Sequence, residues 1–329
     1  MTVLNARPVH AAPLSRPAPA TAPVPADEAD ERSTRFVRDI IQLHEGLNYR
    51  NLSAVLPWDD SVYRARRGDL TITVAARTDQ FPHRYLLGLA GFRLAQYLQL
   101  GYASAAVVAA ESLHCEPLAN FHPADLHCVT LEQSTGRLLG YVTLAHNGDA
   151  QPCSVRDAAA RRSYPCEQAH GIDLFEAVSA PADLNTAQVR EIKRFVRARS
   201  VHDRVSRLRV SLELLVALSR AIQHGRPALR ALVGDVEPRG ALRHLVLMGL
   251  QVKVVGGTSP RLSHADVMHP MYVVRATVEP FFSWMPEPEV LGRHADRLEE
   301  ALSSPDVFGV LARHLPAMQG SVERIGERG

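Results

Sequence analysis

The alternation of apolar and polar positions divides the chain into a mixed series of helices and strands. From Thr34 to Asn48, Phe36, Ile40 and Leu43 fall at helical spacing and predict an amphipathic helix. Asp69 to Ala75 alternates and is rich in β-branched residues, which predicts a strand. The apolar, Ala-rich stretch from Tyr85 to Ser112 predicts two packed helices broken at Leu100–Gly101. His127 to Glu132 and Leu138 to Ala145 are β-rich runs around a Gln-Ser-Thr-Gly turn, the pattern of an antiparallel hairpin. Polar residues punctuated by Pro152, Pro165 and Pro181 follow, and they predict an irregular excursion from Asn147 to Leu184.

In the second half, Asn185 and Thr186 cap the entry into Val189–Arg197. Leu208, Leu212, Leu215, Leu218 and Ile222 recur at threes and fours and predict a helix from Arg204 to His224, stopped by Gly225. A strand through Ala228–Val236, a helix from about Arg239 to Met248 closed by Gly249, and strands at Leu250–Gly257 and Met271–Val278 complete the series. Strands interleaved with helices in this way describe a mixed α/β sheet.

Composition narrows the class. Hydrophobic residues make up 46% of the 329 residues and charged residues 22%, enough for a sizeable core. The net charge of +2 does not mark a nucleic-acid binder, although arginines cluster at Arg64, Arg66 and Arg67 and again from Arg190 to Arg199. No apolar run approaches the roughly 18 residues of a membrane span, and no secretory segment is visible, so the cytoplasm is the expected compartment. Residues 1–33 are Pro/Ala-rich and are expected to form a disordered tail. Residues 34–120 then form an N-terminal, mainly helical part, 121–290 the core, and 291–329 a C-terminal helical extension. Cys115, Cys128, Cys153 and Cys166 lack the close spacing of a zinc site, so neither a metal nor another cofactor is expected.

Four features in order carry a family resemblance: the hairpin ending TGRLLGYVTL, the segment VREIKRFVR, the helix ending AIQHG, and LVLMGLQVKVVGG followed by HPMYVV. Together, from about Asp125 to Val278, they resemble the acyl-homoserine-lactone synthase branch of the GNAT superfamily and its relatives the N-acyl amino acid synthases. The resemblance implies an α/β fold with a GNAT-like mixed central sheet flanked by helices, here with an extra N-terminal helical segment. It also implies transfer of an acyl group to an amine. Glu191, Ile192, Lys193, Arg194 and Phe195 stand where that branch has Glu-x-Ser-Arg-aromatic, so Lys193 replaces its serine. Thr143 stands where the quorum-sensing members place an arginine. The pattern therefore supports the fold and an acyl-transfer site rather than lactone formation. The glycine-rich loop with which acetyl-CoA enzymes cradle pyrophosphate is missing between Val236 and Leu242, which favours a donor carried on a macromolecule.

Acyl transfer to an amine requires a proton acceptor, oxyanion donors and a proton for the leaving group. The resemblance implies a central strand for Glu191, where a carboxylate is costly unless paired or used, so Glu191 is the candidate base. Tyr272 and His269, at the start of the predicted last strand, are candidates for leaving-group acid and base. Arg194 could hold an acceptor carboxylate through its planar fork, and Asp125, before the hairpin, resembles an acceptor-binding acid. Arg66, Arg67, Arg197 and Arg239 are candidate contacts to an anionic donor, either an acyl carrier protein or an aminoacyl-tRNA. Each has a plain structural alternative: an ion pair for Glu191, a turn residue for Asp125, packing for Tyr272, and a solvated face for the arginines. The expected function is acyl transfer from a carrier-bound donor to a small-molecule amine in a specialised-metabolite or signalling pathway. Aminoacyl-tRNA-dependent transfer and a catalytically silent binding module are the alternatives.

Overall fold

Asp203 opens the longest helix: its carboxylate accepts the Ser206 N–H at 2.7 Å, and the helix runs to His224 with one face packed on the sheet. The computed structural model describes residues 26–56, 63–225, 228–237, 241–275, 278–318 and 320–326. In chain order the elements begin with α1 (Ala26–Glu45), α2 (Leu52–Val55), β1 (Tyr63–Arg67), β2 (Thr71–Arg77), α3 (His83–Leu100) and α4 (Ala105–Ala110). The hairpin β3 (Leu126–Glu132) and β4 (Leu138–Ala145) follows, then α5 (Pro165–His170), α6 (Leu174–Ala177), β5 (Val189–Arg197) and α7 (Arg204–His224). The chain continues through β6 (Ala231–Val236), α8 (Ala241–Leu247), β7 (Gln251–Val255) and β8 (Glu279–Trp284). It ends with α9 (Pro288–Ser303), α10 (Val307–His314) and β9 (Ser321–Ile325).

The strands form one sheet in the order β1-β2-β3-β4-β5-β6-β8-β7-β9. Neighbours are antiparallel except for the β5–β6 and β7–β9 pairs. Helices α7, α8, α9 and α10 cover one face through Leu212, Leu215, Leu218, Leu298 and Leu311. On the other face, α1 and α3 cover the β2–β5 half, with Ile40, Leu89 and Phe92 against Val129 and Tyr141. The excursion between β4 and β5 covers the β6–β8 part with Tyr164, Leu174 and Phe175. The mixed central sheet flanked by helices is therefore present, with β1 and β9 at its edges.

The predicted break at Gly101 is a left-handed cap, φ 66°, at the end of α3. Three sequence readings need correction. The helix expected from Thr34 begins at Ala26, so Ala26–Ser33 belong to α1 rather than to a tail, while residues 1–25 lie outside the described residues. The strand expected at Met271–Val278 is instead a wide helical turn, Pro270–Val274, in which the Arg275 N–H reaches the Pro270 carbonyl at 3.0 Å. Its Val-Val pair looked β-prone, but the strand that fills this place in the sheet is β8. Finally, the C-terminal stretch adds a strand, β9, to its two helices; its residues are mostly exposed, so no alternation revealed it.

Candidate active site

The pairing of β5 with β6 runs only from Val189–Ala231 to Glu191–Val233, after which the two parallel strands part. At the parting, Gly234 (φ 152°) lies so close to β5 that a Cβ would come within 2.8 Å of the Ile192 carbonyl oxygen. Into this gap opens a cleft of about 1390 Å³, larger than an ordinary small-molecule pocket.

Glu191 lies at the last paired position, beside Ala145 of β4, and is 3% exposed. Its Oε1 accepts the Cys166 N–H at 3.1 Å, while Oε2 lies 3.0 Å from Lys193 Nζ, outside hydrogen-bond geometry. Burial raises the Glu191 pKa; Lys193 opposes the shift and Asp235 adds to it. Asp235, on β6 just past the parting, accepts the Tyr272 hydroxyl proton on Oδ2. Its Oδ1 lies 3.2 Å from His170 Nε2, and His170 Nδ1 is 2.8 Å from Thr258 Oγ1. Burial first, then the Asp235 charge and hydrogen bond, hold the Tyr272 hydroxyl far above its ordinary pKa. The cleft floor thus holds two carboxylates whose inner oxygens, Glu191 Oε2 and Asp235 Oδ1, make no hydrogen bond among the described residues.

The loop and short helix that hold Glu191 are anchored by an internal ion pair. Arg161 grips Glu167 with two bonds, 2.6 and 2.8 Å, and Glu167 also accepts the Tyr164 and Leu174 N–H groups at 2.8 and 2.9 Å. This fixes α5, from which the Cys166 N–H points at Glu191.

Of the residues singled out by sequence, Glu191, Tyr272 and Arg197 line the cleft. Arg197 is at the rim, bonded through Nη1 to the Arg207 carbonyl at 3.0 Å, and burial followed by Arg207 lowers its pKa. His269 is buried against His264, ring centroids 4.2 Å apart, and is not part of the cleft lining. Asp125 is buried too, and its carboxylate accepts the N–H groups of His122 (3.0 Å) and His146 (2.6 Å). Arg66 and Arg67 lie on β1, four strands from β5, roughly 19 Å at ordinary strand spacing. Arg66 is exposed, whereas Arg67 bonds Glu299 at 2.9 Å and approaches buried Glu213 at 3.5 Å. The Arg194 side chain and the whole of Arg239 lie outside the described residues.

Sequence reasoning missed Asp235, His170 and Thr258, which come from β6, α5 and the loop after β7 and carry no local motif. It also missed His244 of α8, stacked on Phe195 at 4.6 Å in the cleft wall; burial and then Arg197 lower its pKa to about 4. All four cysteines are free thiols, and no cluster of metal-ligating side chains occurs among the described residues. No helix among them is long and apolar enough to cross a membrane.

No protein-family model matches the chain, and no curated protein matches it. Among solved structures it is similar to the AHL synthase LasI, at 14% identity and TM-score 0.40, over 68% of this chain and 95% of that one. It is also similar to BjaI, a CoA-dependent acyl-homoserine lactone synthase solved with SAM and isopentyl-CoA. There the identity is 15% and the TM-score 0.38, over 75% and 89% of the two chains. FeeM, an N-acyl amino acid synthase from uncultured soil microbes, matches at 13% identity and TM-score 0.38, over 66% and 92%. Likeness at this level leaves the activity to be argued from the site's own geometry.

Proposed function

We propose that the chain is an N-acyltransferase that moves an acyl group from a carrier-bound thioester to an amine in the cleft where β5 and β6 part. The observation that carries this reading is the Glu191 carboxylate at the parting, which lines a cleft large enough for two reactants and whose Oε2 is buried beside Lys193. The floor carboxylates Glu191 and Asp235 attract an acceptor that arrives as an ammonium ion. Glu191 takes its proton, directly or through one water, and the freed nitrogen attacks the thioester carbon. Burial raises its pKa and so makes the carboxylate a stronger base than an exposed one. Backbone N–H groups along the unpaired edge of β5 supply the oxyanion donors. Glu191 passes the first proton to water and then takes the second from the nitrogen of the tetrahedral intermediate; as the C–S bond breaks, the thiolate takes that second proton from the Glu191 carboxyl. Tyr272, whose proton is held by Asp235, positions that carboxylate; giving up so tightly held a proton to sulfur would be uphill.

The basic rim, with Arg197, Arg199 and Arg207, suits an anionic carrier, and the product belongs to a specialised-metabolite or signalling route. The test is intact-mass analysis of an amine panel incubated with the purified protein and acyl carrier protein thioesters, acyl-CoA or charged tRNA, with and without RNase. Carrier-dependent, RNase-resistant amide formation is expected. RNase-sensitive product would move the donor to aminoacyl-tRNA, and no product with any donor would contradict the reading.

A further inference from the structure

Beside the proposed transfer site, two histidines in the cleft wall form an arrangement that the reaction above does not use. The rings of His122 and His146 stack 4.4 Å apart, 18° from parallel. Asp125 sets this geometry by accepting both of their backbone N–H groups. Each ring also has its Nδ1 engaged: His122 Nδ1 accepts the Ala124 N–H at 3.2 Å and His146 Nδ1 the Gly148 N–H at 2.9 Å. A nitrogen that accepts carries no proton, so each ring bears its N–H on Nε2. Both rings line the cleft, and neither Nε2 has a partner among the described residues.

Two guanidinium groups, Arg162 and Arg190, and two carboxylates, Asp125 and Asp149, surround these donors. The Arg162 guanidinium lies against Gly148, where a Cβ would come within 3.2 Å of its Nη1, and its side chain makes no ion pair among the described residues. Arg190 is behind, its guanidinium bonded to the Ala187 and Val189 carbonyls at 3.0 and 2.8 Å rather than to a carboxylate. The nearby Asp149 carboxylate is occupied by the Arg162 backbone N–H and the Asn147 amide. Burial and then Arg190 hold the His146 pKa down at about 4, so His146 remains a neutral donor at physiological pH. His146 directly follows Ala145, the β4 residue paired with Glu191.

We infer that His122, His146 and Arg162 form a subsite for a terminal oxyanion group, a carboxylate or a phosphate monoester, on a molecule lying in the cleft beside Glu191. Two N–H donors and a guanidinium lining the same cleft match the lone pairs of such a group, and bonds to an oxyanion are of the stronger, charge-assisted class. The oxyanion has two sources: a carboxylate on the acceptor, or the phosphate of a phosphopantetheine arm on the donor. The inference shares its cleft with the transfer reaction, but it is read by binding alone. A chain that binds the oxyanion and transfers nothing therefore contradicts the proposed function and leaves the subsite standing.

Calorimetric titration of the full chain with two matched pairs tests it: N-dodecanoylglycine against N-dodecanoylglycinamide, and 4′-phosphopantetheine against pantetheine. In at least one pair the anionic member should bind about tenfold more tightly, a difference of about 1.4 kcal/mol, and which pair does so identifies the source. His146→Asn keeps an acceptor for the Gly148 N–H and removes the cleft donor, so the preference should fall to about twofold or less. Arg162→Met, at an exposed position that the fold tolerates, should do the same. His146→Gln restores an N–H near the Nε2 position and should retain most of the preference. No preference in either wild-type pair, or one that survives both His146→Asn and Arg162→Met, would overturn the inference.

Discussion

Lys193 Nζ lies 3.0 Å from Glu191 Oε2, two residues along the same strand. The pair is the main brake on a pKa that burial drives upward. Lys193→Met removes the brake, so the Glu191 pKa should rise further. The acid limb of the kcat/KM profile should therefore move to higher pH, because Glu191 must be ionised to accept a proton. An acid limb that stays in place or moves down would mean that Glu191 is not the titrating base.

The Arg161–Glu167 pair makes a prediction about stability. Both side chains are almost fully buried, 2% and 1% exposed, so Glu167→Ala leaves the guanidinium only Asp173 at 3.0 Å as an ionic partner and frees two backbone N–H groups. Breaking a buried pair outright costs about 3–5 kcal/mol, and the remaining Asp173 contact puts the expected loss at the lower end. Denaturant titration should show that loss, and in any folded fraction turnover should fall with it, because α5 carries the N–H that holds Glu191. A change under about 1 kcal/mol would show that the excursion is held by other contacts.

Arg66 and Arg67 separate a surface role from an internal one. Arg67 neutralises Glu213, a carboxylate whose pKa burial raises and Arg67 lowers. With a folded pKa above the unfolded value, the Glu213 contribution to stability is complete at low pH and is lost as pH rises through the folded pKa. Arg67→Ala raises that pKa further, so its melting temperature should drop more at pH 8 than at pH 5. Donor use per folded molecule should be unchanged. Arg66→Glu, on an exposed face far from the cleft, should leave the melting temperature within about 2 °C of wild type. A raised donor KM in Arg66→Glu would instead place the carrier on β1.

What the sequence revealed and what it hid follow from the range of each signal. The β3–β4 hairpin and α7 were legible because their periodicities are local and Gly136 and Gly225 end them. Glu191 stood out because the family resemblance implied a central strand for it, where an acidic residue needs an explanation. Tyr272 lines the cleft from a different element than expected, since Met271–Val274 is β-prone in composition while its backbone winds into a turn after Pro270. Asp235 and His170 were invisible: they are 65 positions apart, and only the placement of α5 over β6 brings them within 3.2 Å. Asp125 was visible as an acid before a hairpin, but its two N–H partners, which make it an organiser of His122 and His146, appear only in three dimensions.

Gly234 tests the parting of the strands itself. Gly234→Ala would push a methyl against the Ile192 carbonyl oxygen, which belongs to β5 backbone and cannot rotate away. A destabilisation of about 1–3 kcal/mol is expected, with turnover reduced more than folding because Glu191 and Asp235 sit on either side of the contact. Wild-type stability and rate would show that the close approach is unimportant.

The central claim is that Glu191 handles the proton of the attacking amine, and Glu191→Gln tests it most directly. The amide keeps the shape and the bond from the Cys166 N–H while losing the charge, so the fold should survive. Melting temperature and single-turnover rate are to be measured on the same preparation with a carrier-bound acyl thioester and a reactive amine. The account predicts a near-native melting temperature and a rate at least about 10²-fold lower, with the loss in kcat rather than KM. A folded Glu191→Gln protein that turns over at the wild-type rate would contradict it.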